Sequence, residues 1–314
     1  MKISFWQLSD TGKHLLGRLF MKQILILGCG YVGSAFAIAA KARGHAVRAV
    51  TRNREKVDWL EANGVRAFEG RVDALEWHAF AGKDVDWVLN CVSAAKPGIA
   101  GYQASYLDGN RSLVDWMAKT GFEGKAIYTS SVSVYPDSGG DWISEEDSGA
   151  DSERARLMLE SESVFLEGAR SVQATVLRLG GIYGPGRSFL AERVKQSQGS
   201  LPGFGDYYLN LIRLEDIVSA IERVFSGEGS GKSVFNLVDD DPLLKADLVA
   251  GLAEKLGVSR PVFDEKIGEG ATSRRWEKGR PANRRISNRL LREQFGWVPR
   301  FPNAREGMGD LLSD

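Results

Sequence analysis

The chain has 314 residues, with 41 Lys+Arg balanced by 41 Asp+Glu, 43% hydrophobic and 26% charged residues. These values sit at the averages for globular domains and exclude a disordered chain, a fibre and a disulfide scaffold. The zero formal charge removes the electrostatic case for nucleic acid or an anionic membrane as main partner, and no apolar run approaches the roughly 20 residues of a membrane span. Two cysteines, Cys29 and Cys91, favour a reducing, cytoplasmic setting. The departure from average is 36 glycines, and their positions matter more than their number.

Residues 1–20 show neither strand alternation nor a clean helical stripe, and Asp10 and Lys13 interrupt any signal-like apolar core. The plainest reading is a non-native or disordered extension before a natural start at Met21; a targeting peptide and a short docking helix are the alternatives. The extension carries Lys2, Lys13 and Arg18 against Asp10, so the body from Met21 has a net charge of about −2. From there, short β-rich runs at 24–27, 46–50, 65–68, 87–92, 126–129 and 172–179 alternate with helical stretches at 35–43, 54–63, 102–119 and 152–170. Near-continuous apolar strands alternating with amphipathic helices predict a parallel sheet covered on both faces. The fold class is therefore α/β, a Rossmann-type doubly wound sheet. Its dinucleotide-binding core covers 21–186, and a mixed segment over 187–314 returns to the sheet edge and forms a smaller substrate lobe.

The first strand runs directly into Gly28-Cys29-Gly30-Tyr31-Val32-Gly33, followed by an alanine-rich helix. In G-x-G-x-x-G the first glycine permits a tight turn and the second lets the backbone approach a pyrophosphate. The third lets helix and strand pack closely, while the helix N-terminus supplies N–H groups and positive potential for the anion. The strand–turn–helix context makes this a dinucleotide site. At the end of the second strand an acid would bind the ribose hydroxyls of NAD, whereas an arginine accommodates the 2′-phosphate of NADP. The sequence there is Thr51-Arg52-Asn53-Arg54, so Thr51, Arg52 and Arg54 argue for NADP over NAD. The alternative is that both arginines merely open an exposed helix.

Five further segments stand in order: Ile127-Tyr-Thr-Ser-Ser131-Val-Ser-Val-Tyr135, Arg178-Leu-Gly-Gly-Ile-Tyr183-Gly-Pro-Gly-Arg187, Leu209-Asn-Leu-Ile-Arg213-Leu-Glu-Asp216, Val234-Phe-Asn236-Leu-Val-Asp239, and Arg285-Ile-Ser-Asn-Arg-Leu290 with Phe295-Gly-Trp297. With the glycine motif they resemble the short-chain dehydrogenase/reductase superfamily, on its atypical, extended branch of NAD(P)-dependent epimerases and dehydratases. That resemblance implies a Ser, a Tyr and a Lys near the nicotinamide, the Tyr acting as acid/base and the Ser orienting the substrate oxygen. It places the serine on Ser131 and adds Val92, Ser93, Ser130 and Ile182 to the cofactor contacts. The Tyr and Lys positions fall on Ser152 and Arg156, and no Tyr-x-x-x-Lys occurs between residues 128 and 170. Serine cannot replace a phenol of pKa about 10, and arginine cannot shuttle a proton. Tyr106 is the substitute phenol to consider, and Arg156 the residual cation.

The resemblance also implies substrate contacts at Tyr135, Trp142, Glu145, Tyr183, Arg187 and Arg213, with Arg284 and Arg285 as further anion-binding candidates. His14, His45 and His78 lack metal-ligand spacing, so no metal site is expected. Two functions compete: an NADP-dependent oxidoreductase or epimerase/dehydratase-like enzyme on a small polar substrate, and a non-catalytic dinucleotide-binding sensor or assembly protein. A homodimer through the helices at 102–119 and 152–170 is implied by family analogy alone.

Overall fold

A computed structural model of the chain describes residues 21–147, 149–169, 172–227, 233–266 and 280–312; the extension at 1–20 lies outside them. The first half alternates as β1 (Gln23–Leu27), α1 (Tyr31–Ala42), β2 (Ala46–Thr51), α2 (Arg54–Ala62), β3 (Arg66–Glu69), α3 (Glu76–Ala81) and β4 (Trp87–Asn90). Then come α4 (Ile99–Tyr102), a π-helical turn (Gln103–Leu107), α5 (Asp108–Thr120), β5 (Lys125–Ser131), a short β6 (Trp142–Ile143), α6 (Glu153–Gly168) and β7 (Gln173–Leu179). The second half adds β8 (Gly181–Tyr183), α7 (Phe189–Lys195), β9 (Ser200–Pro202), β10 (Tyr208–Leu209), β11 (Leu211–Arg213), α8 (Leu214–Ser226) and β12 (Ser233–Leu237). It closes with β13 (Leu243–Leu244), α9 (Lys245–Leu256), β14 (Val262–Asp264), β15 (Arg285–Ile286), α10 (Arg289–Phe295) and α11 (Ala304–Leu311).

Seven strands form one sheet in the order β12-β7-β5-β4-β1-β2-β3, and every pairing is parallel. The order reverses between β1 and β4, which creates the crevice where ligands bind in doubly wound sheets. Side-chain alternation along β1 explains the two layers. Ile24 and Ile26 join one core with Phe36 of α1 and Ile221 and Phe225 of α8. Leu25 and Leu27 join the other, with Trp77, Trp116 and Phe165 from α3, α5 and α6. A third cluster, including Val194, Leu248, Leu252 and Met308, packs the C-terminal lobe.

Two elements depart from the sequence expectation. Helix α3 lies outside the helical stretches expected from the sequence; it is 6 residues long, and Trp77 anchors it by full burial and by donating Nε1–H to the Val72 carbonyl at 3.1 Å. The single helix expected over 102–119 is instead interrupted by the π turn. That turn brings the Ser105 hydroxyl to accept the Ala95 N–H at 2.9 Å, so the chain after β4 is tied down beside the crevice.

The sheet is cross-braced by buried polar side chains. Arg178 of β7 donates Nη2–H to the Glu162 carboxylate of α6 at 2.7 Å, and both residues are under 8% exposed. The same carboxylate accepts the Ser130 hydroxyl, while Arg178 Nη1 donates to the Tyr135 hydroxyl at 2.8 Å, which in turn donates to Asn236 Oδ1 of β12 at 2.8 Å. Removing one partner of such a pair leaves the other charge buried and uncompensated. Arg178→Met should therefore cost about 3–5 kcal/mol in urea unfolding, and a loss below about 1 kcal/mol would contradict this account.

Asp239, just after β12, is 2% exposed, and its buried Oδ1 has no hydrogen-bond partner among the described residues. Burial, reinforced by Asp241, Asp240 and Asp216, pushes its carboxyl well above the ordinary value of 3.8. A raised folded-state value means that this group favours folding at acid pH and loses that contribution as pH rises through the folded value. Asp239→Asn should therefore stabilise the protein at neutral pH by about 1–3 kcal/mol, with the gain vanishing on acidification. Thermal melts across pH read this directly, and a pH-independent difference would refute it.

Candidate dinucleotide cleft

The three motif glycines divide their work as the chemistry requires. Gly28 has φ +85°, and its N–H and that of Cys29 donate to the Val50 carbonyl at 3.0 and 3.2 Å, locking the turn onto β2. A Cβ on Gly28 would stand 2.5 Å from the Val92 Cα, and one on Gly33 would stand 2.8 Å from both the Cys91 sulfur and the Gly28 carbonyl oxygen. A Cβ on Gly30 would meet nothing within 4 Å. Its open side faces the crevice, at the N-terminus of α1, whose first turn holds no acid and no side-chain cap. A helix start of this kind can receive an anion. Cys29 is packing: it is buried, with burial pushing its thiol up to about 12.

Beyond the loop lies a cleft of about 230 Å³, bounded by Gly28 and Gly30, by Thr51, Arg52 and Asn53, by Val92 and Ser93, and by Ala104 and Ser105 of the π turn. Its far wall is the turn after β3, Gly70-Arg71-Val72-Asp73, which sequence reasoning missed. The available signal was position, since a turn at the carboxyl end of a parallel strand beside the glycine loop is where ligands collect. Arg71 grips Asp73 through two hydrogen bonds of 3.0 and 2.5 Å, and this contact holds the Asp73 carboxyl below its usual range. Of the cofactor candidates, Gly28, Gly30, Thr51, Arg52, Val92 and Ser93 meet here. Arg54 does not; it is turned onto Asp58 at 2.8 Å and Glu69 at 3.9 Å. Val32 and Gly33 are buried in α1. Ile182 pairs with Ile212 between β8 and β11 and packs on the sheet core. Ser130 is committed to Glu162.

Tyr31 stands at the mouth, its hydroxyl donating to the Pro185 carbonyl at 2.9 Å, with the Arg187 guanidinium 5.3 Å from the ring centre. The turn carrying Gly184 and Arg187 thus sits on the glycine loop. Ser131 ends β5, where its Oγ accepts the Ser133 N–H at 3.2 Å. Tyr106 is half-buried in the π turn, 5.2 Å from the Tyr102 ring, and packs on the cluster of Val132, Tyr135 and Met158.

The structure places the other substrate and catalytic candidates as follows. Arg156 is exposed, because the helical period turns Ala155, Met158, Glu162 and Phe165 inward and leaves residue 156 on the outer face. Tyr135 is 4% exposed, with its hydroxyl engaged by Arg178 and Asn236. Glu145 accepts the Asn236 N–H at 2.7 Å, so it caps β12. Trp142 is exposed in β6, with the Arg285 guanidinium 5.1 Å from its ring centre. Tyr183 is buried in the lobe core against Gly307. Arg213 is spent on Glu215, Asp310 and the Gly307 carbonyl, and is stacked on Phe301. Among the described residues no cluster of His, Cys, Asp or Glu could hold a metal, and no helix is long and apolar enough to cross a membrane.

Comparison with known proteins agrees with this geometry. The sequence profile of the NAD dependent epimerase/dehydratase family matches residues 24–237. Protein YeeZ of Escherichia coli is 26% identical over 259 residues, covering 80% of this chain and 89% of its own. A functionally unknown conserved protein from Silicibacter pomeroyi superposes with a TM-score of 0.74 at 22% identity, over 94% of this chain and 99% of its own. UDP-glucose 4-epimerase from Thermotoga maritima, solved with UDP-glucose, gives a TM-score of 0.77 at 20% identity, over 93% and 97%. Likenesses at this identity speak for the fold.

The glycine geometry separates folding from binding. Gly33→Ala should destabilise the protein by about 1–3 kcal/mol, because backbone and sulfur close in on the new methyl group. Gly30→Ala should leave the melting temperature nearly unchanged while weakening dinucleotide binding at least tenfold. Calorimetry and ligand titration of both variants test the contrast, and equal loss of stability in the two would defeat it.

Proposed function

Because the chain belongs to the NAD-dependent epimerase/dehydratase family, we propose that it is an NADP-dependent short-chain-type oxidoreductase or epimerase acting on a small polar substrate. The observation that carries the cofactor preference is the composition of the cleft wall at the end of β2. Thr51, Arg52 and Asn53 line it without a carboxylate, so nothing there repels a 2′-phosphate or pairs with a free ribose hydroxyl. The nearest acid in the lining, Asp73, is already bound to Arg71. Arg52 offers a guanidinium fork suited to phosphate.

The dinucleotide would lie with its pyrophosphate at Gly30 and the start of α1 and its adenosine end between Arg52 and Arg71. The group supplies hydride transfer at its nicotinamide when bound. This chain's contribution is to seat the phosphates and to present Ser131 from the end of β5. The Tyr-x-x-x-Lys pair is absent from this reading, since the inner face of α6 offers Met158 and Glu162 instead. That same observation favours the second reading, a dinucleotide-binding sensor or assembly protein without turnover.

Titration with NADPH and NADH of wild type and Arg52→Ala tests the cofactor assignment. Wild type should prefer NADPH, and the substitution should weaken NADPH chiefly, by about 1–3 kcal/mol, as for a charge-assisted contact. Equal affinities before and after substitution would remove the arginine from the site. Tight NADPH binding with no turnover across a panel of carbonyl compounds and sugar nucleotides would favour the sensor.

A further inference from the structure

Among the described residues that line the cleft, Asp73 is the one carboxylate, and Arg52 and Arg71 are the two cations. The ends of two neighbouring strands bring all three together. Thr51 of β2 pairs in register with Glu69 of β3, and the Gly70 N–H donates to the Thr51 carbonyl at 2.9 Å. The turn after β3 is therefore fixed against the end of β2, beside Arg52. It is also anchored in the core. Val72 is buried with Leu27 and Val50, its carbonyl accepts the Trp77 indole N–H, and the Ala74 carbonyl accepts the Ser112 hydroxyl at 2.9 Å. Residues 71 and 73 flank this anchor, and both border the cavity.

Within the turn, Arg71 Nε donates to Asp73 Oδ1 at 3.0 Å and Nη2 donates to Oδ2 at 2.5 Å. Two bonds from a guanidinium fork to both carboxylate oxygens are the strong, oriented form of this contact. The acid is the sheltered member, at 19% side-chain exposure against 60% for Arg71. An acid facing the end of β2 is the group that pairs with a free ribose hydroxyl, and its charge repels a 2′-phosphate. Here the acid is present, but Arg71 takes up its charge and both of its oxygens.

We propose that Arg71 sets the cofactor selectivity of the cleft by masking the Asp73 carboxylate. With the mask in place, the lining carries the charge of Arg52 alone and accepts a phosphorylated ribose. Without it, the same wall holds a free carboxylate that accepts a ribose hydroxyl and repels phosphate. Arg71 is thus a positioning residue that acts through Asp73. The inference rests on the reading of this cleft as the dinucleotide site.

NADPH and NADH, titrated into the full chain, test the mask in a cycle of Arg71→Ala, Asp73→Ala and the two combined. Arg71→Ala should weaken NADPH and tighten NADH, moving the ratio of the two affinities toward NADH by about tenfold. Asp73→Ala alone should leave NADPH binding no weaker than in the wild type. In the double variant the carboxylate is gone, so the ratio should return close to that of the wild type. Arg71→Lys, which keeps the charge but not the fork, should move the ratio less than Arg71→Ala. Arg71 is largely exposed, so its variants should melt as the wild type does, whereas a purely structural role would weaken both dinucleotides together. An unchanged ratio in Arg71→Ala would overturn the proposal. So would an NADPH loss that persists in the double variant with no gain in NADH, which would make Arg71 a direct phosphate contact. A wild type that prefers NADH would defeat only the NADP preference proposed above, since masking is read from the change on substitution. If neither dinucleotide binds, both readings fall.

Discussion

The Arg178–Glu162 ion pair is the constraint on which the carboxyl end of the sheet depends. It is buried, so its charges must be satisfied within the protein, and the partners it recruits fix several elements at once. Glu162 holds α6 against β7 and takes the Ser130 hydroxyl of β5; Arg178 reaches Tyr135, and Tyr135 reaches Asn236 on β12. Four elements are thereby locked at the height where substrate and cofactor would meet. The same network engages the hydroxyls of Tyr135 and Ser130, two residues that the sequence offers as ligand contacts.

A second constraint is steric. The glycine turn is wedged between Val50, which accepts two of its N–H groups, and Val92, whose backbone leaves no room for a Cβ at Gly28. Close approach of β1, β2 and the chain after β4 crowds Gly28 and Gly33, while the space beside Gly30 stays open.

The sheet and the cleft floor were legible because they rest on local rules. Strand alternation, helical spacing and the placement of Gly28, Gly30 and Gly33 act over a few residues, and the strand boundaries agree within one or two positions for most elements. Contacts between distant segments were not legible in the same way. Arg213 reads as an exposed cation until Glu215, Asp310 and Phe301 are brought around it from across the lobe. Arg156 reads as the residue nearest a lysine position, yet a rotation of about 100° per residue along α6 carries it to the outer face and brings Met158 and Glu162 inward. Arg71 and Asp73 went unnoticed because the turn after β3 has no motif of its own; only folding places it opposite Arg52.

The Glu145 contact has a consequence beyond the site from which it is withdrawn. β12 is the outermost strand of the sheet, and outer strands expose N–H groups that can recruit a strand from another chain. Glu145 occupies the outward N–H of Asn236, while the Asn236 side chain donates to the Ser287 carbonyl beside β15. The segment between β5 and α6 thus works as a local edge guard: its acid takes one N–H of the margin that would otherwise be open to a further strand, and the same asparagine ties that margin to the chain beside β15.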